Sequence, residues 1–426
     1  MNLKSRLPAL QSSDYRLWFF GQGVSVIGTW LQNTGQAWLV LKLTNSPLLL
    51  GVLTSIQYLP SLLLSVFIGP IIDLFPKRTI LIWTQSLFAI TAAIMAWVAF
   101  GGHAQYWQVL VISAATGIVT AVDWPARQSF VSEQVHDRSA VVNAVALNSL
   151  IFNIARIIGP ALGGILISAV GIPWTFALNA VSFLAVIAGL SFMKAGRVPS
   201  KTNSGDYFSD MKAGISYIRH NATILNLLIL IGVVSLFQLN FNVLIPSFAK
   251  LTLGLNASGY GGLMSAMGVG AMAAGMLMSL GGRRLEPKPA YIYGAGFILS
   301  IPMILLGVQH SVILSGLLIM LCGFGMSAFA TMCNTSVQMQ ASDEMRGRVM
   351  SAYNLVFVGS TPLGSLYVGQ ISDKFGSNMG FLLSGIIGIV FLLAMRMFVT
   401  PKAFKGIQTF ARARNVEDDM VIEEKQ

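Results

Sequence analysis

The side chains able to do chemistry in this chain are amides, hydroxyls and a few charges, placed at helical spacing inside otherwise apolar runs. Gln22, Ser25, Thr29, Gln32 and Gln36 recur at steps of three and four, which sets them on one helix face as a ribbon about 21 Å long. Ser113, Thr116, Thr120, Asp123 and Arg127 repeat the pattern, as do Ser235, Gln238 and Asn242, and then Ser327, Thr331, Asn334 and Gln338. Such a ribbon cannot face hydrocarbon; it faces water or protein. Two uses follow: lining a polar cavity, or hydrogen bonding helix to helix. The shorter hydroxyl stripes, Thr54, Tyr58, Ser61 and Ser65, and Ser351, Asn354 and Thr361, fit the second use. The concentration of amides and charges in a few segments favours the first, and the residues assigned to a cavity are Gln32, Asn33, Gln36, Arg156, Gln238, Asn242, Asn334 and Gln338.

Arg156 is the sharpest of these. A cation at that depth in a membrane costs at least ~2.5 kcal/mol and needs a partner. Asn33, Gln36 and Asn153 are the expected neighbours, and the guanidinium either locks two helices together or meets a substrate rich in negative or hydrogen-bond-accepting groups. Asp123, four residues before Arg127, reads first as an ion pair on one helix face and second as a proton carrier. The five methionines Met264, Met267, Met272, Met276 and Met278 are soft core filler or an adaptable lining for apolar ligands. All four histidines, His103, His136, His220 and His310, fall in loops. With no embedded histidine, paired carboxylates or phosphate-binding glycine loop, the sequence supports neither an enzyme nor ATP-driven transport, and no cofactor or metal is expected.

The elements that must hold these residues are membrane helices. Of 426 residues, 54% are hydrophobic and 10% charged, against roughly 25% charged in a soluble chain. Apolar runs long enough to cross ~30 Å of hydrocarbon fall near 17–41, 47–73, 79–100, 105–126, 140–168 and 173–193, then near 222–249, 258–280, 289–308, 312–337, 349–371 and 377–399. The sequence thus predicts an all-α membrane protein of twelve transmembrane helices in two pseudo-symmetric six-helix bundles, residues 1–193 and 222–400, with a cytoplasmic linker and interfacial helix at 194–221 and a cytoplasmic tail at 401–426. If both termini are cytoplasmic, Lys42, Lys250 and Lys374 are the outer-loop cations and Arg156 is embedded, leaving the rest of the 27 lysines and arginines inside. The formal charge of +11 is spread over short loops and the tail, which argues against a nucleic-acid partner. The halves show a weak repeat, Gly164 to Gly171 against Gly369 to Gly376, each after a small-residue and proline segment.

The loop Gly69-Pro-Ile-Ile-Asp73-Leu-Phe-Pro-Lys77-Arg78 resembles the signature loop of the major facilitator superfamily, with Leu74 and Pro76 where arginine and glycine are usual. The second-half copy, Gly281 to Arg284, lacks the aspartate. Within that superfamily the stretches Val122 to Val131, Asn143 to Ser149 and Ala155 to Gly164 resemble the efflux group that includes enterobactin and macrolide exporters. Gly159-Pro160 followed by Gly163-Gly164 is similar to the fifth-span motif of the superfamily's antiporters. The resemblance implies a monomeric secondary transporter in a bacterial inner membrane, exporting a siderophore-like or drug-like small molecule in exchange for protons by alternating access. It also implies gating roles for Asp73, Gly159 and Pro160, beside the coupling role that the residues themselves leave open for Asp123 with Arg127. A translocator of lipid-like amphiphiles and a non-transporting membrane scaffold are the alternatives.

Overall fold

A computed structural model describes residues 8–134, 138–193, 207–281 and 287–398. The first part of the linker, Arg283 and Arg284, and the tail from Pro401 lie outside the described residues.

Apolar runs whose backbone must bond internally fold as helices. The first six are α1 (Ser13–Thr44), α2 (Pro47–Asp73), α3 (Lys77–Phe100), α4 (Tyr106–Glu133), α5 (Arg138–Val170) and α6 (Pro173–Phe192). A linker helix, Tyr207–His220, precedes α7 (Ala222–Gln238), α8 (Ala257–Gly281), α9 (Pro289–Leu306), α10 (Val312–Gln340), α11 (Arg346–Phe375) and α12 (Ser377–Phe398). Among the described residues ten helices are long and apolar enough to cross a membrane. The two other long helices, α1 and α11, miss that measure: they carry polar side chains along much of their length and charges at both ends. Trp97, Phe192 and Ile313 are each more than three-quarters exposed on the outer surface. Such groups are placed against lipid, not water.

Span seven is the one element whose form the sequence does not announce. It breaks after Gln238, resumes as Phe241–Ser247 and ends in a π-helical turn, Phe248–Thr252. At the break the Asn240 amide donates back to Leu236 O at 2.8 Å, a bond that competes with the helical ladder.

Helices α1 to α6 pack on one another, as do α7 to α12, and the two groups meet along α2 against α11 and α5 against α8. Glycines make both seams. On α8, Gly261, Gly268 and Gly275 share a face at steps of seven. A Cβ built on Gly261 would lie 2.3 Å from Pro160 O and one on Gly268 3.0 Å from Arg156 O, while one on Gly275 would meet nothing within 4 Å. The seam therefore opens steadily along its length. At the tight end of the other seam, a Cβ on Gly51 would lie 2.4 Å from Ser365 O, whereas Gly69 and Gly347 at the far end face open space. The molecule is closed at the end bearing the α1–α2 and α7–α8 turns and open at the end bearing the linker helix.

Candidate functional site

Inter-group bonds fasten the closed end. Asp373 of α11 accepts from Ser46 Oγ at 2.5 Å and from the Leu48 backbone N–H at 3.4 Å, so a carboxylate of one group caps the first turn of α2 in the other. Lys250 donates to the Asn45 side chain at 2.7 Å and to the Leu41 carbonyl. Trp38 and Tyr260 stack across the interface with ring centres 5.8 Å apart. Ser258 donates to Ser168 Oγ at 2.8 Å beside the contact between Gly164 and Ala257.

Beneath this closure, at the junction of the two groups, is a cavity of about 130 Å³. Trp30, Asn33, Thr34, Gln36 and Ala37 of α1 and Leu50, Leu53, Thr54, Gln57 and Tyr58 of α2 form one side. Asn242, just past the break in α7, and Tyr260 and Met264 of α8 form the other. The lining is polar and neutral, with two tyrosines and a tryptophan for apolar contact. It can hold an organic solute by hydrogen bonds and ring contacts; nothing in it performs covalent chemistry.

The cavity brings together three of the residues assigned to it by sequence. Asn33 and Asn242 present exposed side chains there. Gln36 lines it while donating to Ser113 Oγ at 2.9 Å. The others lie elsewhere. Gln32 is turned into the first group, accepting from Asn179 Nδ2 at 2.7 Å, and Gln238 into the second, donating to Ser300 Oγ at 2.7 Å. Asn334 and Gln338 bond to each other at 2.5 Å on α10 toward the open end. The ribbon of α1 is thus mostly turned into its own group: Gln22, Ser25 and Gln32 are buried there, Gln32 and Gln36 bond to neighbouring helices, and the neighbouring phase, Asn33, faces the cavity. Conversely Thr54 and Tyr58, read from sequence as interhelical, line it, as does Met264. Trp30 and Tyr260 line it without any helical polar signal in the sequence, whereas Gln57, beside Tyr58, is a signal the sequence does carry.

Arg156 is half-buried on α5 without its expected partners. Gly159 packs at Ile27 and Trp30 and Gly163 at Thr34, which sets Arg156 level with the turn before Trp30 and short of Asn33 and Gln36. Asn153 instead bonds back to Ser149 O at 2.9 Å. The guanidinium lies 5.7 Å from the centre of the Trp30 ring, a cation–π contact at the cavity wall, and its buried Nε has no hydrogen-bond partner among the described residues. An unmade bond to a buried charged group costs at least about 1–3 kcal/mol.

Asp123 is the hub of a buried cluster. It accepts from Thr84 at 2.7 Å and Gln85 at 2.8 Å on one oxygen and from Arg127 Nε and Nη2 at 2.9 and 2.7 Å on the other. Arg127 also stands over the Trp18 ring at 5.7 Å. The expected ion pair is present within α4, and the bonds from Thr84 and Gln85 to its carboxylate tie α3 to α4. Gly159 and Pro160 sit where α5 is pressed between α1 and α8, a Cβ on Gly159 falling 2.4 Å from Trp30 Cβ. The Asp73 side chain lies outside the described residues.

The family described as transmembrane secretion effector matches residues 4–423. The Staphyloferrin A transporter of Staphylococcus aureus (strain NCTC 8325 / PS 47) is 27% identical over 84% of this chain and 90% of that protein. Multidrug efflux pump Tap of Mycobacterium tuberculosis (strain ATCC 25618 / H37Rv) is 24% identical over 85% and 86%. Macrolide efflux protein A of Streptococcus pyogenes is 20% identical over 90% and 95%. Among solved structures, a bacterial homolog of the human lysosomal transporter Spinster, in an inward-facing and unoccupied conformation, superposes with a TM-score of 0.72 at 14% identity, covering 91% of this chain and 98% of that one. That likeness shows the shared fold.

Proposed function

This chain belongs to the transmembrane secretion effector family of the major facilitator superfamily, and we propose that it exports a siderophore-like or drug-like organic solute in exchange for protons, by alternating access. It is a multi-pass membrane transporter of bacterial type, not an enzyme. The observation that carries the export reading is the neutral polar cavity at the junction of two six-helix groups, shut at one end and open at the other.

In this reading α1 and α11 cross the membrane with the other ten helices, and residues 1–193 and 222–400 are lobes joined through the linker at 194–221. Lys42, Lys250 and Lys374 are the few loop cations at the closed end, and the scarcity of lysine and arginine there supports taking that end as the outer face, so that the open end receives solute from the cytoplasm. Rocking of the lobes breaks the bonds of Asp373 and Lys250, parts the glycine seams and closes the opposite end. Asn33, Gln36 and Asn242 hold the solute, with Asn334 and Gln338 along its approach. Gln32 and Gln238 keep the lobes rigid from within. Asp123 and Arg127, with Asp73, are the candidate coupling groups, and Gly159-Pro160 is the pivot between cavity and outer gate. The exporter works as a monomer.

Sealed inverted vesicles made acid inside test this directly. Siderophores or macrolides should accumulate, and a protonophore should abolish accumulation. Indifference of every solute to the gradient contradicts proton exchange; movement of long-chain amphiphiles alone indicates lipid translocation instead.

A further inference from the structure

We propose that the cavity takes a ring-sized organic anion, its negative group paired with Arg156 and its body among Trp30, Tyr58 and Tyr260. The assignment deepens the exporter reading, and rests on it only in holding that what binds is also carried.

Three observations carry it. The cavity lining is electrically neutral, with the amides of Asn33, Gln36, Gln57 and Asn242 and no acidic residue. Arg156 does not itself line the cavity but packs on the Trp30 ring that does, and among the described residues its buried Nε has no hydrogen-bond partner and no carboxylate bonds to it. A planar guanidinium with a free donor matches a carboxylate or phosphate, whereas a cationic solute there meets a like charge and finds no acid to pair with. Finally, a dry cavity of ~150 Å³ in another protein accepts benzene, so the 130 Å³ here takes a single ring, and the rest of a larger solute extends toward the open end.

The test uses the purified full-length protein in nanodiscs and equilibrium dialysis with two radiolabelled rings of similar size and opposite charge, anthranilate and benzylamine. Anthranilate should bind and benzylamine should not. Arg156→Gln should weaken anthranilate binding at least tenfold and Arg156→Lys should restore part of it, with the unfolding temperature of each variant measured alongside. If Arg156→Gln fails to fold, discrimination between the two rings by the unaltered protein, and its loss in Trp30→Ala, decides. Equal binding of both rings, preference for benzylamine, binding of neither, or unchanged anthranilate binding by a folded Arg156→Gln overturns the assignment. Anthranilate that binds but never accumulates in energised inverted vesicles contradicts the exporter reading and leaves the anion assignment standing.

Discussion

One methyl group at Gly51 and one at Gly261 should force the closed end of the molecule apart. A Cβ on Gly51 stands 2.4 Å from Ser365 O and one on Gly261 2.3 Å from Pro160 O. Both obstacles are backbone and cannot rotate away, so each seam must widen by about 1 Å to reach ordinary contact. Overpacking of this kind costs about 1–3 kcal/mol. The cost falls on the closed state alone, and shifts its equilibrium with the outward-open state by roughly 5- to 150-fold per substitution. Gly275→Ala is the control: it lies on the same face of α8 with nothing within 4 Å. Spin labels on Lys42→Cys and Lys374→Cys, exposed at the closed end on opposite groups, report the separation by pulsed electron resonance. The native Cys322 and Cys333 are buried and stay unlabelled. Gly51→Ala and Gly261→Ala should each move the distance distribution outward, and Gly275→Ala should not. An unchanged distribution in the seam variants refutes the reasoning.

Other substitutions separate structure from solute contact. Asp123→Asn leaves Arg127 buried without its carboxylate and should cost about 3–5 kcal/mol, read as a drop in unfolding temperature; wild-type stability would show that the cluster does not tie α3 to α4. Asn33→Ala and Asn242→Ala should weaken apparent solute affinity by roughly 2- to 10-fold each, the worth of one hydrogen bond, with unfolding temperature unchanged. Gln238→Leu should do the reverse, lowering stability while leaving affinity intact; a transport defect without loss of stability would put Gln238 on the solute path. Asp373→Ala removes the cap on α2 and should favour outer opening by a similar 2- to 10-fold, visible in the same spin-label pair, whereas an unmoved pair would mean that the glycine seams alone hold the end shut.

The helices were legible because hydrocarbon leaves the backbone so few options. Span two falls at Pro47–Asp73, the run expected for it, and the others lie within about four residues of their helices, except that α4 continues seven residues past its run to Glu133 and span seven is broken. Span seven defeated the reading because its break is made by one side-chain bond, from Asn240 to Leu236 O, with no glycine or proline at that point. The site was half legible for a related reason. Sequence periodicity says that a face is not lipid-facing, but the interior of a bundle and the gap between two bundles are both such faces. Gln32 and Asn33 differ by one residue, about 100° around the helix, and that step separates a bond to Asn179 from the cavity. Arg156 was found by its charge, yet its neighbour Trp30 was invisible, since an aromatic ring in an apolar run reads as core.

Single cysteines at Asn33 and Asn242, probed with a membrane-impermeant thiol reagent from each face of the membrane, test the chamber between the lobes most directly. Both should react from the cytoplasmic face in resting membranes, and reaction from the outer face should appear when the cycle is driven by a proton gradient or the seams are wedged by Gly51→Ala. Reactivity confined to one face under every condition, or absent from both, would contradict a cavity that opens to the two sides in turn.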